Sequence, residues 1–288
     1  MTDLTVAPTS LDTPVRGHRL RPTAADGARL GRGSSLGLGV AVCWLSVLVI
    51  LPLAAVVAKG TGGGWSAFTD ALTDRRAFDA IRLTVLSSLA VAAINAVMGT
   101  AIAWVLVRDR FPGSRVLELL IDIPFALPTI VAGLVLLTLY GPHSALAPNL
   151  YATKPGILVA LLFVTLPFVV RTVEPVLLAL ETDVEEAAAS LGASPLTTFR
   201  RIVLPAILPA VLSGAALSFG RAMGEYGSVV LISGQLTYKT EIASLYIYKQ
   251  IQDDALAGAA ATATVLLVIS IVVIGLIGFL QRWAARRG

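Results

Sequence analysis

Residues 181–205 read ETDVEEAAASLGASPLTTFRRIVLP, a polar stretch between two strongly apolar ones. Thr182 and Asp183 are helix-capping residue types, and residues 185–189 are mostly good helix formers. Gly192 suits the end of that helix, and Pro195 suits the first turn of a second one. The stretch therefore predicts two short helices joined at a glycine.

The composition on both sides of this stretch predicts an all-α integral membrane protein. Hydrophobic residues make up 56% of the 288 residues and charged residues only 14%, whereas a soluble domain has about 25% charged residues. Mean hydropathy is +0.82. These values exclude an ordinary water-soluble enzyme and a disordered chain. The net charge is +4. The basic residues that produce it lie at the edges of apolar runs, and this distribution indicates membrane topology and not nucleic-acid binding.

Six apolar runs are long enough to be transmembrane helices, since about 20 residues cross a ~30 Å hydrocarbon core. We expect the third to begin near Val116. The fourth should extend a few residues past Arg171, and the fifth should continue as helix past Arg221 and Glu225 toward Ile232. The six runs cover residues 36–58, 83–107, 123–140, 155–170, 202–220 and 255–280.

The distribution of Lys and Arg predicts the orientation of these spans. Fourteen of these residues fall in the segments on one side and seven on the other, and the richer side is expected to be cytoplasmic. Both termini and the 181–205 stretch are then cytoplasmic. Residues 1–35, rich in Pro, Thr, Gly and Arg, are predicted to form a tail without a packed core.

A bundle of apolar spans has no need of a long polar loop. Two interpretations of the residues alone stay open for it. The loop either projects as a docking element for a soluble partner or lies as an amphipathic hairpin on the membrane surface.

The order of residues in this loop resembles the signature of bacterial ABC importer permeases. Glu186-Ala187-Ala188, three residues, Gly192, nine residues and then Ile202-Val203-Leu204-Pro205 meet every fixed position of the pattern E-A-A-x3-G-x9-I-x-L-P. The resemblance implies the type I ABC importer permease fold over residues 75–285. It also implies that the loop at 174–205 holds a coupling helix that fits a groove on an ATP-binding subunit. The residues expected to serve this coupling are Glu185, Glu186, Ala187, Ala188, Gly192, Ala193, Ile202, Leu204 and Pro205.

Three further stretches resemble the T-type permease subunit of sulfate/thiosulfate transporters. They are residues 122–129 (DIPFALPT), 166–171 (LPFVVR) and 221–228 (RAMGEYGS). The resemblance implies a sulfate or thiosulfate importer of the bacterial inner membrane working by alternating access. Its expected partners are two copies of an ATPase subunit, a related W-type permease, an extracytoplasmic sulfate-binding protein and membrane lipid. Molybdate or tungstate permeases, which pair with themselves, are the alternative.

Charges at membrane depth are costly and mark candidate translocation sites. Arg221 lies about 22 Å into the fifth span, at 1.5 Å per residue, and Glu225 follows four residues later. Either the two only neutralise each other, or Arg221 faces a path for a dianion while Glu225 holds its side chain. Pro124 and Pro128 are expected to kink the third span, with lining of the path as a second possibility. The candidate path residues are Pro124, Pro128, Thr129, Arg221, Glu225, Tyr226 and Ser228.

The sequence carries no phosphate-binding loop of the form G-x4-G-K-[ST]. ATP hydrolysis is therefore expected on a partner chain, and no catalytic, cofactor or metal site is predicted here. A secondary transporter working without ATP is a different class of hypothesis. It would need ion-coupling carboxylates or inverted repeats, and neither is clear in the sequence.

Overall fold

The computed structural model describes residues 32–109 and 111–285, and every regular element in them is helical. Most of the predicted tail, residues 1–31, lies outside the described residues. The helices are α1 Arg32–Leu45, α2 Leu51–Thr61, α3 Gly64–Thr73, α4 Arg75–Arg108, α5 Ser114–Ala126, α6 Thr129–Tyr140, α7 Lys154–Ala179, α8 Thr182–Ser190, α9 Pro195–Thr198, α10 Leu204–Met223, α11 Gly227–Ile232, α12 Ala243–Gln252 and α13 Leu256–Ala285. Two π-helical turns occur, at Ser46–Ile50 and Phe199–Val203.

Five of the six predicted spans are present as long apolar helices, and the third is a bent pair of helices. Among the described residues five are long enough to cross a membrane, namely Leu36–Thr61, Arg75–Arg108, Lys154–Ala179, Pro195–Met223 and Leu256–Ala284. If the bent pair formed by α5 and α6 is counted as one span, the number of candidate spans is six. The chain divides into two units at Leu51. The first contains α1 and the π-helical turn that follows it, and the apolar side chains of residues 36–51 are largely exposed.

In the second unit, α4, α7 and α10 pack closely against one another and form the centre of the bundle. Glycines allow the approach: a Cβ on Gly99 would lie 2.8 Å from Cβ of Val169, and one on Gly214 would lie 2.7 Å from Cα of the same valine. Asn95 of α4 joins the three helices, since its Nδ2 donates to Thr165 (2.8 Å) and Ser218 (3.2 Å). Small residues and interhelical hydrogen bonds are what hold helices together in lipid.

The third span is broken, which corrects the prediction of one kinked helix. α5 ends at Ala126, α6 begins at Thr129, and their axes differ by 117°. Pro128 disfavours helical geometry at the preceding residue, and Leu127 is accordingly extended (φ −88°, ψ 135°). Pro124, by contrast, is accommodated inside α5.

The fifth span also differs from the prediction, because it does not continue as helix to Ile232. α10 ends at Met223, and the short α11 starts at Gly227 after three non-helical residues. The carboxylate of Glu225 accepts a hydrogen bond from the backbone N–H of Ser228 (2.8 Å), which satisfies a donor in the first turn of α11. The break is thus fixed by a side-chain cap.

The other end of this span is more regular than expected. Instead of a separate short helix followed by the fifth span, the chain is helical from Pro195 to Met223. Pro205 has no N–H to donate, and the π-helical turn just before it shifts the hydrogen bonding so that Leu204 N–H reaches the carbonyl of Phe199. The second helix of the 174–205 loop is therefore the beginning of the fifth span.

Candidate functional site

The centre of the 174–205 loop has the predicted helix–glycine–helix form. α8 ends in a Schellman motif: Gly192 N–H donates to Ala189 O (2.9 Å) and Ala193 N–H donates to Ala188 O (3.0 Å). Gly192 takes the left-handed conformation (φ +84°) that this motif requires, and a Cβ there would meet nothing within 4 Å. Ser194 caps α9 by accepting from Thr197 N–H. The signals at Gly192 and Pro195 are confirmed. The capping start predicted at Thr182 and Asp183 is wrong, because both residues lie inside α8 and the N-cap residue, Glu181, provides no side-chain cap.

The helix–glycine–helix segment is poorly covered by the rest of the chain. No residue of α8 is buried, and Glu186, Ala187 and Gly192 are exposed. Three apolar side chains, which sequence reasoning did not single out, are also exposed: Val184 (45%), Leu191 (90%) and Leu196 (65%). Exposed apolar groups grouped on one projecting element are typical of a contact surface.

Glu185 has a different place from its neighbour Glu186. Its carboxylate accepts from Arg108 Nη2 at 2.6 Å, and the same nitrogen donates to the carbonyl of Leu180 at 3.1 Å. Arg108 is the last residue of α4 and also lies over the ring of Trp104. Glu185 therefore fixes α8 to the central bundle. Ile202, Leu204 and Pro205 are half-buried in the helix below, so they position the loop and are not its exposed tip.

The candidate path residues cluster where the third and fifth spans are broken. α6 and α11 cross at glycines: a Cβ on Gly133 would lie 2.8 Å from the carbonyl oxygen of Ser228, and a Cβ on Gly227 would overlap the Thr129 hydroxyl. Pro128 is exposed at the first break, whereas Pro124 is buried in α5. The structure thus places Thr129 against Gly227, the residue before Ser228, and buries Pro124 within α5.

Arg221 and Glu225 form an ion pair with an Nη1–Oε2 distance of 2.5 Å. The Glu225 side chain is 1% exposed, whereas that of Arg221 is 34% exposed. The second carboxylate oxygen of Glu225 caps α11, and its backbone carbonyl accepts from Ser244 Oγ (2.7 Å). The nearby hydroxyl of Ser228 is buried and has no hydrogen-bond partner among the described residues. Tyr226 is half-buried and packs on Tyr248 with ring centroids 5.2 Å apart.

The opposite end of the bundle from the 174–205 loop carries a polar cavity of about 180 Å³. Arg82, Lys154 and Lys239 line it, and none of the three has an ion-pair partner among the described residues. Two carboxylates also line it, and both are paired: Asp79 faces Arg75 at 3.9 Å, and Glu241 binds Arg76 and Lys249 at 2.7 and 2.8 Å. Burial alone would raise the pKa of Glu241, but these two hydrogen bonds outweigh it and hold the pKa below its ordinary value. The cavity is therefore cationic.

Long apolar helices, two broken spans that meet at depth, and an exposed helix–glycine–helix segment define a helical membrane permease. The chain belongs to the family described as binding-protein-dependent transport system inner membrane component, whose model matches residues 95–286. Within that family it is similar to proteins named for sulfate transport. It is 39% identical to the sulfate transport system permease protein CysT of Salmonella typhimurium over 92% of this chain and 98% of that one. It is 45% identical to the protein of the same name from Synechococcus elongatus, over 84% and 90% of the two chains.

Solved structures show the same fold at much lower identity. A bacterial ABC transporter involved in import of the acidic polysaccharide alginate matches with a TM-score of 0.71 and 16% identity, over 86% of this chain and 94% of that one. The MetNI methionine ABC transporter matches with a TM-score of 0.51 and 20% identity, over 72% and 95% of the two chains. The type I ABC importer permease fold predicted from the sequence is confirmed.

Proposed function

We propose that this chain is the T-type permease subunit of an ATP-driven importer that carries sulfate or thiosulfate into the bacterial cytoplasm. The observation that carries the proposal is the 39% identity, over nearly the whole of both chains, to a protein named for sulfate transport. The free cations around the polar cavity at one end of the bundle suit an anionic substrate. Alternating access at the two span breaks would pass the anion through the bundle.

The proposed orientation places both termini and the 174–205 loop in the cytoplasm of a cell whose inner membrane holds residues 36–58 and the permease domain, 75–285. An ATPase subunit docks on α8 and its exposed apolar neighbours, with Gly192 allowing close approach. The full assembly has two ATPase subunits, a related W-type permease and an extracytoplasmic sulfate-binding protein. The last of these delivers the anion to the polar cavity on the outer side.

In the proposed path the anion passes Arg221, whose side chain is one-third exposed although it is paired. Partial neutralisation by Glu225 suits transit, because an unpaired cation would hold a dianion too tightly for release. The buried hydroxyl of Ser228, beside Thr129, has no other partner among the described residues and can donate to an oxyanion. Tyr226 and Pro128 border the same place.

Uptake of labelled sulfate tests the substrate. The chain is expressed in a bacterial strain that lacks only its own T-type permease, so that the host supplies the other subunits. We expect sulfate uptake to be restored and to be competed by unlabelled thiosulfate more strongly than by molybdate. Co-purification of the host ATPase subunit confirms assembly. Restored assembly with uptake of labelled molybdate and not sulfate would contradict the proposed substrate.

Arg108→Met is expected to uncouple the loop from the bundle. The change removes the ion pair to Glu185 and the hydrogen bond to Leu180, so that α8 loses its polar attachment to α4. We expect sulfate transported per ATP hydrolysed to fall roughly threefold to tenfold, since a hydrogen bond of this kind contributes about 0.5–1.5 kcal/mol and about 1.4 kcal/mol is a factor of ten. The measurement is ATPase activity and sulfate accumulation in the same proteoliposomes. Arg115→Met, which removes an exposed arginine near the start of α5, is the matched control, and an equal effect in both variants would refute the coupling role of Arg108.

A further inference from the structure

An apolar groove runs along the side of the bundle between α4 and the helical run that begins at Pro195. Its volume is about 560 Å³, and its walls include Ala96, Val97, Ala101, Trp104, Phe199 and Val211. Trp104 and Phe199 meet edge to face at 5.5 Å and form the end of the groove nearest α8. The proposed function does not use this groove.

The length of the groove matches one leaflet of a bilayer. Phe199 and Val211, at its two ends, are twelve residues apart in a continuous helical run, or about 18 Å at 1.5 Å per residue. Half of a ~30 Å hydrocarbon core is about 15 Å. The groove therefore reaches from the membrane boundary to about the bilayer midplane, which is the depth of a single acyl chain.

Two cations follow the groove residue Phe199 in sequence and line a cavity of their own beside this end of the groove. Arg200 and Arg201 belong to the same π-helical turn as Phe199, and Arg200 precedes the groove residue Leu204 by one turn. Both are exposed and make no hydrogen bond or ion pair with the residues that the structure describes. With Leu196 and Thr197 they line a second cavity, of about 420 Å³. Arginines at a cytoplasmic membrane surface attract anionic headgroups by about 1 kcal/mol each.

We propose that this groove binds one acyl chain of an anionic phospholipid whose phosphate is held by Arg200 and Arg201. The two arginines match the anionic headgroup of such a lipid. The apolar walls and the one-leaflet depth of the groove match its acyl chain. The site also touches the loop: Trp104 lies under Arg108, which bonds to Glu185 of α8. A lipid in the groove steadies both walls and thereby the position of α8. The proposal rests on the cytoplasmic placement of the loop but not on sulfate as the substrate.

Lipid retention tests the site directly. The intact transporter is purified into nanodiscs of phosphatidylcholine with a minor fraction of phosphatidylglycerol, and bound lipid is counted by native mass spectrometry. We expect R200Q/R201Q to lower retention of phosphatidylglycerol at least fivefold, with phosphatidylcholine unchanged. Arg282→Gln is the matched control, because it removes an exposed arginine whose Nε donates only to a carbonyl of its own helix. Retention equal to wild type in R200Q/R201Q would overturn the proposal.

A second variant tests the groove and not the charges. Ala101 is exposed at the groove wall, so Ala101→Phe fills the space without entering the core. We expect the same loss of phosphatidylglycerol, and loss of any stimulation of ATPase activity by that lipid. Wild-type retention in this variant would show that no acyl chain occupies the groove. Loss of the ATPase subunit from R200Q/R201Q in pure phosphatidylcholine would assign the arginines to that subunit and would also overturn the proposal.

Discussion

Gly192→Trp is expected to reduce sulfate uptake roughly tenfold or more while the protein remains in the membrane. The left-handed conformation of Gly192 (φ +84°) costs a residue with a Cβ roughly 1–2 kcal/mol. An indole also projects into the open space in front of the turn, where a docked subunit would lie. Bulky groups in the centre of a contact surface have the largest effects on binding. Uptake and co-purified ATPase subunit are measured together.

Gly192→Asn is the matched control for this variant. Asn adopts the left-handed conformation more readily than other residues with a Cβ and has a small side chain. We expect it to keep most of the uptake and the bound ATPase subunit. Normal uptake in Gly192→Trp would refute the docking role of the loop. Equal losses in both variants would show that the backbone turn, and not access for a partner, is the sensitive feature.

Glu225→Ala is expected to have the largest effect on folding. The carboxylate is almost fully buried, neutralises Arg221 and caps α11 through Ser228 N–H. Removing one partner of a buried pair costs about 3–5 kcal/mol, because the remaining charge is left uncompensated. We expect a large fall in folded yield and in the thermal unfolding midpoint of the purified protein.

The double variant R221Q/E225Q separates structure from transport. The amide oxygen introduced in place of the Glu225 carboxylate can still accept from Ser228 N–H, and no unpaired charge remains, so we expect the folded yield to recover. If Arg221 attracts the anion, sulfate flux per folded molecule stays low even when yield is restored. Recovery of wild-type flux per molecule would show that the two residues only neutralise each other, and would remove Arg221 from the proposed path.

Local signals were sufficient to predict the helix–glycine–helix segment. Gly192 ends α8 and Ser194-Pro195 starts α9 because capping and turn geometry depend on a few neighbouring residues. The long spans were also predictable, since their length and apolar character are set by the bilayer. The role of Glu185 was not, because its partner Arg108 is distant in sequence and no periodicity connects them.

The two breaks show where apolar patterning is insufficient. Hydropathy does not distinguish a kinked helix from two helices at 117°, so Pro128 indicated a disturbance but not its size. The four-residue spacing indicated the correct partner of Glu225, which is Arg221, but it assumed one helix that continues through both residues. The pair forms although Glu225 lies beyond the end of α10. Its cap on α11 is a local contact between residues three apart, whereas the packing of α11 against α6 is a tertiary feature that apolar patterning does not encode.

The helical run from Pro195 to Met223 has a mechanical consequence. It contains 29 residues without an intervening loop, or about 44 Å at 1.5 Å per residue. One end carries the surface proposed to meet the nucleotide-hydrolysing subunit, and the other stops beside the arginine proposed to meet the anion. If the subunit docks as proposed, a displacement of the first end is carried along one continuous helical run to the second, and no further element is required to connect the docking surface with the proposed path.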